Sequence, residues 1–190
     1  MRKLMNVFYD NTRVLVYKKS YFNDFSASVL NQPEVNISRY GKAEDFMWRE
    51  LYFKKRERLM GERFVRGDDV VILWRGNEIA HIAWIGSRNE IVALDETGPN
   101  VVLPLNARGL VIYDCWTPED MRGTGYYGIM LDTIERSCNA ENLDLWIYCV
   151  SNNWPSRNVI EKIKFQRVAE LVRKRVVSVT VTEKVLMFDQ

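Results

Sequence analysis

A short glycine-rich segment carries the residues of this sequence that are best suited to bind an anion. It spans 117–128, reads TPEDMRGTGYYG, and lies between a predicted strand and a predicted helix. The first turn of a helix presents backbone N–H groups and a partial positive charge, so it attracts phosphate oxygens. Gly123 and Gly125 let a ligand approach that backbone, and Arg122 adds a cation. The pattern predicts a phosphate site, and a turn that merely begins a helix is the simpler alternative.

The elements that must position this segment follow from hydrophobic periodicity. The apolar positions of the helix after the segment recur at helical spacing from 127 to 138, and β-branched and aromatic residues fill the strand before it. The predicted strands are 14–17, 70–74, 79–85, 110–116, 143–150, 168–179 and 181–188, and the predicted helices are 43–60, 127–138 and 155–163. Residues 91–105 fit a hairpin or a long loop. The second half therefore reads β-α-β-α-β, which predicts an α/β domain with a mixed sheet.

Composition and charge favour one globular domain over several other classes of protein. The chain has 190 residues, of which 47% are hydrophobic and 12% aromatic, too many for a disordered chain. Its 27 basic and 25 acidic residues leave a net charge of +2, which argues against a nucleic-acid or membrane-surface partner. The basic run at 54–58 is explained by an exposed helical face of mixed charge.

Cysteine usage and the absence of a long apolar run predict a cytoplasmic location. No apolar stretch approaches the roughly 18 residues of a membrane span, and polar residues interrupt the N-terminus where a signal peptide would be apolar. Cys115, Cys138 and Cys149 are odd in number and widely spaced. We therefore expect three reduced thiols, no disulfide and no metal site.

Two motifs resemble those of the GNAT superfamily of acyl-CoA N-acyltransferases. The family signature R/Q-x-x-G-x-G/A at a strand-to-helix junction is matched at 122–127, except at its last position. A second pattern has an Asn after the next strand, a small residue three positions later, and a short helix that ends in Phe. Asn153, Ser156 and the segment 161–165 match it. The resemblance covers about 70–172 and implies a mixed, mostly antiparallel sheet, splayed at its centre and flanked by helices.

The sequence departs from the family pattern at three positions. Tyr127 stands where Gly or Ala is usual, and Lys164 stands where a Gly commonly precedes the final Phe. Ile160 occupies the position of the catalytic Tyr of many members, so their commonest general acid is missing. The R-G-x-G-x-Tyr form resembles a subset of members found near polysaccharide biosynthesis, which points towards an amino sugar as acceptor.

The resemblance implies direct transfer of an acetyl group from acetyl-CoA, a co-substrate, to a primary amine of a small molecule. Backbone N–H groups of the glycine-rich segment would hold the pyrophosphate, and the end of the preceding strand would pair with the pantetheine arm. A strand N–H near Cys115 or Trp116 would hold the thioester oxygen as it becomes an oxyanion. The cofactor-binding residues implied are Cys115, Trp116, Thr117, Arg122, Gly123, Thr124, Gly125, Tyr126, Tyr127, Asn153 and Ser156.

An amine acceptor has a pKa near ~10 and must lose a proton before it attacks. Asp114, which is costly to bury in a central strand without a partner, is a candidate base or amine-binding group, and His81 is a second candidate base. A hydrogen-bonded structural role is the simpler explanation of His81. Tyr148, like Tyr126 and Tyr127, could replace the missing acid. The leaving thiolate of CoA, with a pKa near ~8.5, departs with little help from an acid. The presence of Ile160 in place of the usual Tyr therefore does not exclude acetyl transfer.

Two other functions and two structural questions stay open from the sequence. A GNAT-like domain could bind CoA or another ligand without turnover, as a sensor or interaction module. An acyl donor on a charged RNA or a carrier protein would require a concentrated basic groove, which the charge balance does not indicate. Residues 1–42 form a poorly readable N-terminal extension of a single GNAT-like domain over 1–190, and they could shape the acceptor pocket or a homodimer contact.

Overall fold

The computed structural model describes residues 9–20, 35–41, 57–87, 90–91, 101–102, 109–176 and 179–188. In chain order the strands are β1 (Tyr9–Lys19), β2 (Val35–Tyr40), β3 (Asp69–Arg75), β4 (Glu78–Gly86), β5 (Glu90–Ile91), β6 (Val101–Val102), β7 (Gly109–Trp116), β8 (Asp144–Val150), β9 (Gln166–Val176) and β10 (Val179–Met187). The helices are α1 (Glu57–Val65), α2 (Tyr126–Ala140) and α3 (Trp154–Lys162). The chain divides into two compact units. The terminal unit is Met1–Lys19 with Ile147–Gln190, and the middle unit is Ser20–Trp146.

The middle unit is built on four antiparallel strands in the order β7-β4-β3-β2. Residues from Ile79 to Gly86 of β4 are all buried, because α2 packs against this strand and apolar residues surround it. The side chains that are completely buried here include Trp84, Ile72, Leu73, Ile82, Ile112, Met130 and Leu131. Burying each large apolar side chain contributes roughly 1.5–3 kcal/mol to the free energy of unfolding. This core holds β7 and the start of α2 in place.

The hairpins of the middle unit agree with the predicted turns. Gly76 has a φ of +59° between β3 and β4, a conformation that suits glycine, so the hairpin predicted over 70–85 is confirmed. β5 and β6 pair antiparallel, which favours the hairpin alternative for 91–105. β2 was not predicted, because its apolar alternation extends over only six residues.

Helix α1 does not end where the sequence pattern predicted. We expected a helix over 43–60 that stops at Gly61, but α1 continues to Val65, so that end is wrong; residues 43–56 lie outside the described residues. Glycine inside a helix costs only about 1 kcal/mol, which tertiary contacts of the last turn can offset. The helix ends at Val65 and is followed by a turn at Gly67, whose φ is +81° and whose amide donates to the Phe64 carbonyl at 2.9 Å.

The terminal unit joins both ends of the sequence in the strand order β10-β9-β1-β8. β1 pairs antiparallel with β9, and its residues from Val14 to Tyr17 are at most 3% exposed. The predicted short strand at 14–17 is therefore part of an interior strand of 11 residues. The Tyr17 hydroxyl donates to Glu161 of α3 at 2.8 Å, and burial raises the pKa of Tyr17 to about 12. These contacts hold α3 against β1.

The remaining predicted elements lie within two residues of the observed ones, the long strand 168–179 excepted. Its first part is β9, which ends at Val176, and β10 begins at Val179. The expected α/β fold, with a mostly antiparallel sheet and flanking helices, is confirmed. The splay of the sheet and the single-domain organisation remain predictions. No helix among the described residues is both long enough and apolar enough to cross a membrane.

Candidate active site

The glycine-rich loop before α2 presents its backbone to open space. Gly123 has a φ of +77° and Gly125 a φ of +89°, and both residues are exposed. A Cβ added to either glycine would meet no atom within 4 Å, so neither is required by close packing inside the protein. The first turn of α2 carries no acidic side chain. The loop is therefore open to an anion at the positive end of a helix.

Local contacts hold the loop in this conformation. The Thr124 hydroxyl donates to the Met121 carbonyl at 2.6 Å, and the Arg122 Nε donates to the Thr117 carbonyl at 3.4 Å. Met121, at the end of a 3₁₀ turn, and Tyr126, at the start of α2, are both buried and attach the loop at its two ends. The exposed middle of the loop is thus fixed by buried residues on either side.

A β-bulge interrupts β7 just before the loop. Trp84 of β4 pairs with Tyr113 and Ile82 pairs with Trp116, so Asp114 and Cys115 together lie opposite Ala83. Asp114 has a φ of +43°, a left-handed conformation that Asp tolerates better than most residues. A bulge takes backbone groups out of the regular ladder and redirects side chains. The bulge falls at the position where the predicted oxyanion donor would lie.

A buried ion pair joins this bulge to α1. The Arg63 Nη1 donates to the Asp114 Oδ2 at 2.6 Å, and the Arg63 side chain is only 7% exposed. Its guanidinium also lies over the rings of Trp84 and Tyr113, at 4.8 and 5.1 Å from their centroids. Arg63 did not enter the predicted site because the helix was expected to end before it. The glycine at 67, a common helix stop, could have extended the helix to include Arg63.

A second buried contact joins the same two elements. The Tyr113 hydroxyl donates to the Asp68 Oδ2 at 2.7 Å, and Asp68 is almost completely buried just after the end of α1. Asp68 also lies 3.5 Å from the Arg66 guanidinium. Because Tyr113 directly precedes the bulge, these contacts fix the bulged backbone from the side of α1.

His81 is a buried, neutral side chain. It is 1% exposed, and burial lowers its pKa to about 3. Its Nδ1 lies 2.7 Å from the Thr117 hydroxyl, and its ring centroid lies 5.2 Å from that of Tyr127. Its Nε2 is buried without a hydrogen-bond partner among the residues that the structure describes. The structure thus brings together His81, Thr117 and Tyr127, and the low pKa makes His81 a weak base.

The three cysteines are free thiols. Cys115 is half-buried in the bulge, whereas Cys138 and Cys149 are buried, and burial raises the pKa of both to about 11. Within the described part of the chain, no three His, Cys, Asp or Glu side chains lie close enough together to hold a metal ion.

Three of the predicted site residues belong to the terminal unit. Tyr148 is half-buried on β8. The Asn153 side-chain oxygen accepts a hydrogen bond from the Ser156 amide at 3.3 Å and so caps α3. Ile160, at the position of the family's usual tyrosine, is completely buried. The second motif therefore has a helix-capping function of its own, and the amide nitrogen of Asn153 takes no part in that cap.

Known structures share this arrangement of strands and helices. An acetyltransferase of the GNAT family from Colwellia psychrerythraea is 10% identical over 89% of this chain and 57% of its own, with a TM-score of 0.56. A candidate acetyltransferase of the GNAT family from Novosphingobium aromaticivorans is 10% identical over 88% of this chain and 64% of its own, with a TM-score of 0.54. The chain has a GNAT-type fold. A Drosophila protein shares it at 17% identity over 90% of this chain and 52% of its own, with a TM-score of 0.57.

These structural similarities establish only the fold, because the sequence identities are low. The chain spans between 52% and 64% of the length of these three structures. No protein-family model matches the sequence, and no curated protein matches it at a significant level.

Proposed function

We propose that the protein is an acetyl-CoA-dependent N-acetyltransferase that transfers the acetyl group directly to a primary amine of a small molecule in the cytoplasm. One observation carries the proposal: in a GNAT-type fold, an exposed loop with two glycines at positive φ directly follows a strand that is bulged at Asp114. The loop supplies an anion site, and the bulge supplies backbone donors out of the regular ladder.

In the proposed reaction, the loop amides from Gly123 to Tyr127 hold the pyrophosphate of the donor. The amine nitrogen attacks the thioester carbon, and the carbonyl oxygen becomes an oxyanion that a β7 amide near Cys115 stabilises. One such donor lowers the activation free energy by roughly 3 kcal/mol. The C–S bond then breaks, the thiolate leaves with the electron pair, and the proton lost by the amine passes to a base or to water. No covalent acyl-enzyme is required, so Cys115 is not needed as a nucleophile.

The structure favours Asp114 over His81 as the group that handles the amine. His81 is only 1% exposed and its Nδ1 is engaged by the Thr117 hydroxyl, so the enclosed ring has little access to an amine, and burial lowers its pKa to about 3. Asp114 is 27% exposed at its side chain and is oriented by Arg63. We therefore assign Asp114 to proton transfer or amine binding, and His81 to fixing the hydroxyl of Thr117. An amino sugar is the acceptor class that the R-G-x-G-x-Tyr form favours.

The proposal is tested by filling the loop with a side chain. Gly125→Trp places an indole where the pyrophosphate would lie, so it should weaken CoA binding at least about 100-fold, the equivalent of two charge-assisted hydrogen bonds. Gly67→Trp is the matched control, since its φ of +81° imposes similar strain and its Cβ also meets open space. CoA affinity is measured by calorimetry, and thiol release from acetyl-CoA is measured with a panel of amines and amino sugars.

Equal CoA affinity in the two tryptophan variants would remove the loop from the donor site. Tight CoA binding by the unmodified protein, with no thiol release for any amine, would instead indicate a non-catalytic CoA-binding module. The absence of CoA binding altogether would contradict both functions.

A further inference from the structure

A basic pocket of about 380 Å³ opens in the terminal unit. Its volume lies within the range of small-ligand sites, about 300–1,000 Å³. It is lined by Arg13, Leu15, Ser151, Asn152, Trp154, Arg157, Arg167 and Glu170. Three arginines and one glutamate leave a net charge of +2 among these residues, although the chain as a whole is close to neutral. The net charge of these residues therefore equals that of the whole chain.

One buried carboxylate holds two of the arginines in place. The Arg13 Nη1 donates to the Glu170 Oε1 at 3.3 Å, and the Arg167 Nη2 donates to the Glu170 Oε2. The Glu170 side chain is 11% exposed, whereas those of Arg13 and Arg167 are 57% and 39% exposed. Each guanidinium has five N–H donors, so one bond to Glu170 leaves further donors for a ligand. Two oriented guanidinium groups match the oxygens of a phosphate group.

An exposed tryptophan borders the same pocket. Trp154 is 61% exposed, and the Arg157 guanidinium lies over its ring at 4.3 Å from the centroid. Arg157 is itself held by the Ser151 carbonyl, to which its Nη1 donates at 3.0 Å. The indole is thus supported by a fixed cation and still offers a large apolar surface. A flat aromatic group is the partner that such a surface stacks with.

We propose that this pocket binds a nucleotide, with a phosphate monoester on Arg13 and Arg167 and the base stacked on Trp154. A phosphate monoester carries a charge of about −1.5 to −2 at neutral pH, and the cluster of Arg13, Arg167 and Glu170 that would hold it has a net charge of +1. Ser151 and Asn152 supply polar groups beside the stacked base. This inference does not depend on acetyl transfer, because it concerns binding alone.

The test is a calorimetric titration of the full chain with adenosine 5′-monophosphate, adenosine and inorganic phosphate. The nucleotide should bind at least about tenfold more tightly than either fragment, because only it engages both the arginines and the indole. Trp154→Leu should weaken nucleotide binding about fivefold or more, the loss of one stacked base, and leave phosphate binding unchanged. Arg13→Gln with Arg167→Gln should weaken both by at least about tenfold.

Arg58→Gln is the matched control for charge, since Arg58 is 86% exposed in an ion pair with Glu62 and does not line the pocket. It should leave every affinity unchanged. The proposal is overturned by the absence of nucleotide binding up to about 5 mM, beyond the weak end of specific affinities. It is also overturned if the unmodified chain and the Trp154→Leu variant bind the nucleotide with equal affinity. This substitution changes an exposed side chain and leaves the core intact.

A competition experiment separates two sources of the nucleotide. If CoA displaces the monophosphate and dephospho-CoA does so more weakly, the pocket receives the nucleotide end of the donor. If CoA and the monophosphate bind together, the pocket takes a separate nucleotide. Both results support the site. Thiol release is measured in the same variants, so that a loss of nucleotide binding at the pocket can be distinguished from a loss of the proposed transfer reaction.

Discussion

At the scale of single residues, burial decides which polar side chains can take part in proton transfer. From the sequence, Asp114 is the stronger candidate for the base or amine-binding group, and a hydrogen-bonded structural role is the simpler explanation of His81. In the structure His81 is enclosed and neutral, whereas Asp114 is partly exposed and ion-paired with Arg63. The difference comes from the surroundings of each side chain and not from its residue type.

The buried histidine makes folding stability depend on pH. Its pKa is about 3 in the folded protein and about 6.5 when unfolded, so between these values the unfolded chain binds more protons. The contribution of His81 to the free energy of unfolding is fully favourable above pH 6.5. It decreases by about 1.4 kcal/mol per pH unit as the pH falls towards 3. His81→Gln, which can still bond to Thr117, should show a shallower loss of the free energy of unfolding in urea titrations between pH 6.5 and 4.5. Identical slopes would contradict the low pKa.

At the scale of elements, α1 and β7 act together to position the candidate site. The Arg63–Asp114 ion pair and the Tyr113–Asp68 hydrogen bond both connect the end of α1 to the bulged part of β7. The strand itself was predictable from its β-branched and aromatic residues. The bulge was not, because it depends on the register against β4, which the sequence of β7 does not contain.

Changing the carboxylate at the bulge should affect turnover more than donor binding. Asp114→Asn keeps an oxygen that can accept from Arg63, so the fold should be retained, but it removes the group assigned to the amine. We expect turnover to fall by about 100-fold or more, with CoA affinity within twofold of the unmodified protein. Asp69→Asn, at an ion pair with the half-exposed Arg39, is the control. Turnover equal to that of the control would remove Asp114 from the mechanism.

At the scale of the whole molecule, the first described strand is a structural part of the terminal unit. β1 lies between β8 and β9, and its central side chains are among the most buried of the chain. From the sequence, this region belonged to an extension outside the family resemblance. Its pairing with β9 joins residues more than 150 positions apart, such as Leu15 with Glu170. Local sequence patterns do not encode such a pairing.

A chain that begins at Ser20 should therefore lose the terminal unit. Without β1, β9 has no partner on one edge and the apolar side chains from Val14 to Tyr17 are missing from the core. We expect the shortened chain to lose β-sheet signal in circular dichroism and to become sensitive to protease after residue 147. A synthetic peptide of residues 1–19, added in excess, should restore part of the protection. Unchanged protease resistance and an unchanged unfolding midpoint would show that β1 is dispensable.

The amino-acid sequence by itself determined most elements and the glycine-rich loop of this protein. Hydrophobic periodicity located β3, β4, β7, β8, α2 and α3, because apolar spacing is a local property. The open backbone conformation at Gly123 and Gly125 was predictable for the same reason, since it depends on the residues of the loop itself. The tertiary structure alone decided the strand order, the bulge, the Arg63 partner of Asp114 and the basic pocket beside Trp154. Each of these depends on contacts between distant segments, and such contacts form only when the whole chain folds.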